Sequence, residues 1–115
     1  MFDEITEISL LYDFYGELLT ERRKEVMRLY HEENYTLSEI ADELGISRQG
    51  VHDALKTAER TLAEYEAKLG LVERFAESRN AVTDIKKRME KIAAAHPELA
   101  DEISGIEQSI EKLEF

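Results

Sequence analysis

The stretch TLSEIADELGISRQGVHDALK, residues 36–56, determines the fold that we expect for this chain. Thr36 can cap a first helix, and Glu39, three residues later, can bond back to it, which makes a capping box. Gly45 follows the last residue of that helix, where the backbone must become left-handed. Ser47 can then cap a second helix. Two capped helices joined by a glycine turn predict a helix-turn-helix.

The apolar residues of this stretch recur at helical spacing. In the first helix, which we place at residues 37–44, the small side chain of Ala41 allows the second helix to approach closely. The second helix begins at Arg48, and its pattern continues to Leu69, before Gly70 can end it. We expect six apolar residues of the two helices and their turn to be buried together: Ile40, Leu44, Ile46, Val51, Leu55 and Leu62.

The start of the second helix supplies the candidate nucleic-acid contacts. In a helix-turn-helix, the first turns of this helix face the base edges of DNA. Arg48 can pair with guanine or phosphate, and Gln49 can form two hydrogen bonds with adenine. The predicted nucleic-acid-binding residues are Ser47, Arg48, Gln49, Gly50, His52, Asp53, Lys56 and Arg60. The alternative is an ordinary helical hairpin that binds no nucleic acid.

The charge of the chain opposes strong binding to nucleic acid. The net charge is −11, although residues 47–70 hold four basic and four acidic side chains and are the least acidic part. Phosphate contacts supply most of the non-specific affinity for DNA. We therefore expect a monomer to bind duplex DNA weakly.

The residues before the helix-turn-helix predict two further helices. Residues 4–19 have helical apolar spacing, which Gly16 can interrupt. Thr20 can cap the next helix, with Glu21 in its first turn. That helix carries a basic surface, which is either a solvated face or a contact to the phosphate backbone. Its members are Arg22, Arg23, Lys24 and Arg28.

Heptad spacing begins after Leu71. One series of positions is Phe75, Val82, Met89, His96, Ile103 and Ile110. The offset series is Ser78, Ile85, Ile92, Leu99, Ile106 and Leu113. Such a seam drives helix pairing, and Pro97 interrupts it, so we expect helices at 71–95 and 97–113 with His96 in the turn. The pair can close on itself as a hairpin or pair with a second subunit, and we expect a homodimer.

The sequence thus indicates an all-α protein with two parts. Residues 1–70 form a helix-turn-helix domain with an N-terminal helix, and residues 71–115 form a helical extension for dimerisation or packing. The chain has no cysteine, and the spacing of His31, His52 and His96 does not favour a metal site. We expect no cofactor, no metal and no enzymatic activity, since no catalytic constellation is present. Without a signal peptide or an apolar span, a cytoplasmic protein is expected.

Two family resemblances sharpen these expectations. The segment LLTERRKEVMRLYHEENYTLSEIADELGISRQGVHDALKTAERTL resembles region four of bacterial sigma factors. LYDFYGELLTERRKEVMRLYHEENYTLSEIADELGISRQGVHDALK, followed by AEYEAKLGL, is similar to the YlxM family over about residues 5–75. Members of that family are small bacterial helix-turn-helix proteins encoded beside the signal recognition particle genes. The sequence departs from sigma factors at Gly50, Asp53 and Glu59, where a more basic helix is expected.

Two main functions follow. The first is a DNA-binding regulator that reads duplex DNA through the second helix of the motif. The second, implied by the YlxM resemblance, is an accessory protein of the signal recognition particle pathway that contacts the particle's RNA or its GTPase. A purely structural interaction module is a third, weaker interpretation.

Overall fold

The computed structural model describes residues 4–113, which form six α-helices and contain no strand. The helices are α1 Glu4–Tyr15, α2 Glu21–Met27, α3 Leu37–Leu44, α4 Arg48–Leu69, α5 Leu71–Ala95 and α6 Ala100–Glu111. Turns of 3₁₀-helix lie at Gly16–Leu18 and Pro97–Leu99, and a π-helical turn lies at Arg28–Glu32. The predicted all-α class is confirmed. The chain divides between Val72 and Glu73 into two compact units.

Local capping sets the ends of α3 and α4. The Thr36 Oγ1 accepts a hydrogen bond from the Glu39 N–H at 3.1 Å, and the Thr36 N–H donates to Glu39 Oε1 at 3.0 Å. Gly45 has a φ of 67°, and Ser47 Oγ accepts a hydrogen bond from the Gly50 N–H at 2.9 Å. The predicted capping box, left-handed turn and second cap are therefore confirmed.

The first helix is shorter than the sequence pattern predicts. The helix expected over residues 4–19 ends at Tyr15, because the chain tightens into a 3₁₀ turn at Gly16. A Cβ at that glycine would lie 3.1 Å from the Tyr12 ring, so a larger residue there would push the ring aside by a few tenths of an ångström. Thr20 caps α2 as predicted, by accepting a hydrogen bond from the Arg23 N–H at 3.4 Å.

The first unit is built around one core in which α4 packs against α1, α2 and α3. The buried side chains are Leu11, Tyr15, Leu19, Val26, Met27, Leu29, Ile40, Ala41, Val51, Leu55, Ala58, Leu62 and Val72. Four of the six residues predicted to be buried together lie in this core, and the other two, Leu44 and Ile46, pack against it. Both are half-buried, because they flank the turn at the edge of the core, where one side of each residue meets solvent.

The second unit is a helical hairpin. The chain turns at His96, and α6 returns along α5, so that Lys86 Nζ donates a hydrogen bond to Glu111 Oε1 at 2.8 Å. Met89 and Ile103 are its buried apolar side chains from the first heptad series. The helix expected at 97–113 begins as a 3₁₀ turn. The apolar members of the offset series are exposed: Ile85, Ile92, Leu99, Ile106 and Leu113.

Candidate nucleic-acid interface

The core fixes the orientation of α4 and therefore decides which residues face solvent. Val51, Leu55, Ala58 and Leu62 are buried on one side of α4, and α2 and α3 pack against the helix. The side chains of Ser47, Arg48, Gln49, His52, Asp53, Lys56 and Arg60 are exposed, and Gly50 is half-buried. The predicted residues thus lie together on one solvent-facing surface, which we call the reading face.

Two of the predicted residues serve the structure of the helix start. Ser47 caps α4 through its bond with the N–H of Gly50. A Cβ on Gly50 would lie 3.1 Å from Ser47 Oγ, so a larger residue would crowd the cap. The cap fixes the backbone at the start of α4, which carries Arg48 and Gln49.

The polar side chains of the reading face are already partly engaged with each other. The Gln49 Nε2 donates a hydrogen bond to Asp53 Oδ1 at 2.9 Å, and His52 Nδ1 lies 3.7 Å from the same oxygen. Sequence reasoning placed these residues on one face but missed the bond between them, although their spacing of four residues is the signal for such a pair. Any base contact by Gln49 must compete with Asp53.

The cations of the reading face differ in how far they are neutralised. Lys56 Nζ lies 3.9 Å from Glu59 Oε2, a distance that indicates a loose ion pair. Within residues 4–113, neither Arg48 nor Arg60 forms an ion pair. Two guanidinium groups on this face are therefore available to an external partner.

Two of the four cations of the predicted basic surface, Lys24 and Arg28, are paired with neighbouring carboxylates. Lys24 Nζ lies 2.6 Å from Glu17 Oε1, and Arg28 Nη2 lies 2.6 Å from Glu25 Oε1. The hydrogen bond from Arg28 lowers the pKa of Glu25, and the bond to Glu17 raises the pKa of Lys24. This half of the surface therefore forms surface ion pairs.

The described part of the chain lacks two kinds of site. Between residues 4 and 113, no group of three or more His, Asp or Glu side chains could hold a metal ion. Nor does any helix in that range have both the length and the apolar character needed to cross a membrane.

Comparison with known proteins places the chain in a family. A family model described as UPF0122, "Putative helix-turn-helix protein, YlxM / p13 like", matches residues 2–111. A UPF0122 protein of Thermoanaerobacter pseudethanolicus is 45% identical over 115 residues, covering 98% of both chains. UPF0122 proteins of Acetivibrio thermocellus and Halalkalibacterium halodurans are 40% and 35% identical, covering 96% and 99% of this chain and 97% and 100% of theirs. The chain belongs to the UPF0122 family of YlxM-like helix-turn-helix proteins.

Proposed function

We propose that this protein is a DNA-binding regulator that inserts the start of α4 into the major groove of duplex DNA. The observation that carries the proposal is the exposed, capped start of α4, with Arg48 and Gln49 in its first turn and a buried face behind them. That arrangement matches the way in which the second helix of a helix-turn-helix reads DNA.

Each side chain has a distinct part in the proposed contact. Arg48 has the planar pair of donors that matches guanine, and Gln49 has the donor and acceptor that match adenine. Gln49 must first leave Asp53, so its contribution to affinity is reduced by the bond that it gives up. Lys56 and Arg60 contact phosphates, which position the helix without selecting a sequence.

Weak binding by one copy is the reason to propose a homodimer. The reading face lies within residues 47–70, whose four basic and four acidic side chains cancel, in a protein of net charge −11. Two reading helices on one DNA molecule multiply a weak single-site affinity, because the second contact becomes intramolecular. Symmetric dimers of helix-turn-helix proteins bind paired half-sites in this way.

The hairpin of the second unit supports this assembly. On α5, exposed Ile85 lies three residues after half-buried Val82, and on α6, exposed Ile106 lies three residues after buried Ile103. The same spacing recurs along both helices, so each helix carries a stripe of exposed apolar side chains. Because α5 and α6 are antiparallel, the same offset places both exposed stripes on one side of the hairpin. The two helices also differ in charge, since α5 has a small excess of basic residues and α6 is acidic, and such a difference favours contact of α5 with α6 of a second copy. Within the described hairpin, residues without an ion pair include Lys87 and Lys91 on α5, and Asp101, Glu102 and Glu107 on α6.

The assembly is tested by sedimentation velocity at micromolar concentration. The wild-type protein should sediment as a dimer, and Ile92→Glu should sediment as a monomer because it places a charge in the apolar stripe. Ala94→Glu adds the same charge at an exposed position on the opposite side of α5 from the stripe and should leave the dimer intact. A monomeric wild type, or an effect common to both variants, would refute the proposed interface.

A second candidate function is an accessory role in the signal recognition particle pathway, with the particle's RNA or its GTPase as partner. Asp53 favours the protein partner of this candidate, since its carboxylate holds Gln49 and places a negative charge where the phosphates of DNA or RNA would approach. The acidic remainder of the chain suits a basic protein surface better than a phosphate backbone.

The deciding experiment measures binding of the wild type, Arg48→Ala and Lys56→Ala to a pool of genomic duplex fragments at two salt concentrations. The DNA-binding proposal predicts that Arg48→Ala loses roughly 1–3 kcal/mol and relaxes preference at one base position. Lys56→Ala should weaken all sequences alike and reduce the salt dependence. If DNA binding were unchanged by both substitutions and by salt, the DNA-binding proposal would be refuted. If the wild type bound the signal recognition particle RNA or its GTPase but not duplex DNA, the second candidate would be favoured.

A further inference from the structure

Asp53 lies at the centre of the reading face. It comes two residues after Val51 and two residues before Leu55, and both of these residues are buried. At about 3.6 residues per turn, its side chain leaves α4 on the side opposite the pair, about 180° around the helix axis. The Asp53 side chain is 68% exposed. A partner that contacts the reading face therefore meets this carboxylate.

One oxygen of the Asp53 carboxylate is held by its neighbours on α4. Oδ1 accepts the hydrogen bond from Gln49 Nε2 at 2.9 Å, and His52 Nδ1 lies 3.7 Å from the same oxygen. The other oxygen, Oδ2, accepts no hydrogen bond from residues 4–113, and no lysine or arginine of that range forms an ion pair with Asp53. The carboxylate is thus oriented by Gln49 and keeps its second oxygen for a partner.

The bases of DNA differ in what they offer to such an acceptor in the major groove. Cytosine presents an amino group, whereas guanine presents two acceptors, and thymine presents an acceptor beside a methyl group. Adenine presents an amino group next to N7, so a carboxylate that approaches this amino group also meets the lone pair of N7. Cytosine is therefore the base that a carboxylate side chain recognises in the major groove.

The negative charge of Asp53 has opposite effects on affinity and on specificity. DNA phosphates repel the carboxylate, so it lowers the affinity for every sequence. Specificity is a difference between two affinities, and a group that opposes incorrect partners increases that difference. A carboxylate that faces guanine O6 or thymine O4 has lost its water without gaining a donor, which penalises these bases. An acidic residue at the centre of the reading face can therefore select a sequence although it weakens binding.

We propose that Asp53 selects cytosine at one position of the DNA site, through a hydrogen bond from the cytosine amino group to Oδ2. This inference rests on the proposed DNA-binding function. The contact uses the oxygen that Gln49 leaves open, so the bond that orients the carboxylate is retained. Orientation before binding lowers the entropy that the contact costs. Gln49 then acts by holding Asp53, and its own contact with adenine is an alternative for which this bond must break.

The test uses the full-length protein and a pool of random duplex DNA. Fragments bound by the wild type, Asp53→Ala and Asp53→Asn are selected and sequenced. Fluorescence anisotropy then gives the affinities of the enriched site and of its single-base-pair variants. At one position of the site, the wild type should bind cytosine about five- to tenfold more tightly than guanine or thymine, as expected for one hydrogen bond to a charged group.

The variants separate base recognition from the effect of charge. Asp53→Ala removes the acceptor, so the preference at that position should fall below about twofold while the affinity for the whole pool rises. Asp53→Asn keeps the shape of the side chain but adds a donor, so the preference should move from cytosine to adenine, which pairs with an asparagine amide. Glu64→Gln removes a carboxylate at an exposed position farther along α4 and should leave every base preference unchanged.

The outcomes distinguish this inference from the function on which it rests. If the wild type binds no duplex DNA, the proposed function fails, and the cytosine contact fails with it. If the wild type binds duplex DNA with base preferences that both Asp53 variants retain, only the cytosine contact is overturned. It is also overturned if Glu64→Gln changes the preference as much as Asp53→Asn does, because the effect then comes from charge alone.

Discussion

Substitution of Tyr15 by Phe removes one hydroxyl from the junction of three elements. The Tyr15 side chain is 1% exposed, and its ring stacks on Tyr65 at a centroid distance of 5.9 Å. Its hydroxyl donates to Glu66 Oε1 at 2.6 Å and accepts a hydrogen bond from the Leu71 N–H at 3.1 Å. Phenylalanine keeps the ring and its packing, so the substitution isolates the two hydrogen bonds.

The expected cost follows from the groups that lose a partner. The N–H of Leu71 loses its acceptor, while Glu66 Oε1 retains the hydrogen bond from the Val72 N–H at 3.0 Å. A bond to a charged group contributes about 1.5–3 kcal/mol, and the retained bond moderates the loss at Glu66. We therefore expect Tyr15→Phe to lower the free energy of unfolding by about 2 kcal/mol.

The assay is urea unfolding followed by circular dichroism, with Tyr12→Phe as the matched control. The Tyr12 hydroxyl donates to the Lys24 carbonyl oxygen at 3.3 Å, a longer bond to a neutral acceptor, so its loss should cost less than about 1 kcal/mol. If the two variants were equally stable, the structural importance that we assign to the Tyr15 hydroxyl would be refuted.

The same hydroxyl predicts a pH dependence. Burial, and then the hydrogen bond to Glu66, raise the pKa of Tyr15 above its ordinary value of 10.0. The folded state therefore resists ionisation of this phenol, and its stabilising contribution is present below pH 10 and is lost as the pH rises through the folded-state pKa. Tyr15→Phe should show a shallower loss of stability above pH 10 than the wild type. An identical alkaline slope in the two proteins would contradict this assignment.

Three further predictions concern the core, the turn and the reading face. Leu62→Ala should lower the free energy of unfolding by about 2–5 kcal/mol, because Leu62 is buried. Leu44→Ala, at a half-buried site, should lower it by about 1–2 kcal/mol. Equal losses in urea unfolding would contradict the difference in burial. Gly45→Ala should destabilise by about 1 kcal/mol because of its positive φ, whereas Gly105→Ala, in an open helical position, should be neutral or stabilising by thermal melts. Asp53→Ala should release Gln49 and raise DNA affinity about three- to tenfold at low salt in fluorescence anisotropy, and an unchanged affinity would count against the proposed reading face.

The sequence predicts features that depend on neighbouring residues. The capping box at Thr36, the turn at Gly45 and the cap at Ser47 each involve residues within three positions of each other, so the chain carries them without reference to the rest of the fold. The end of α4 at Gly70 was predicted for the same reason.

Features that depend on the packed structure were not predictable in the same way. Leu44 fits the apolar pattern of α3, but its depth depends on what covers the turn, and the pattern carries no such information. The heptads of the C-terminal segment were compatible with helix pairing within one chain or between two chains. In the structure α5 and α6 pair within the chain, as the contact of Lys86 with Glu111 shows, and the first heptad series lies inside that hairpin. The hydrogen bond of Gln49 to Asp53 depends on the rotamers of the two side chains, which the sequence pattern does not specify. This bond occupies Gln49 Nε2, which would otherwise be available to a partner of the reading face.

The junction after Gly70 has a consequence for dissecting the protein into fragments. Gly70 has no side chain with which to cap α5, so the amide of Leu71 is held by Tyr15 and that of Val72 by Glu66. The first turn of α5 thus depends on groups supplied by α1 and α4. A fragment that begins at residue 71 should therefore fray at its start, and a truncation that removes α1 should loosen a helix more than 50 residues away in the chain.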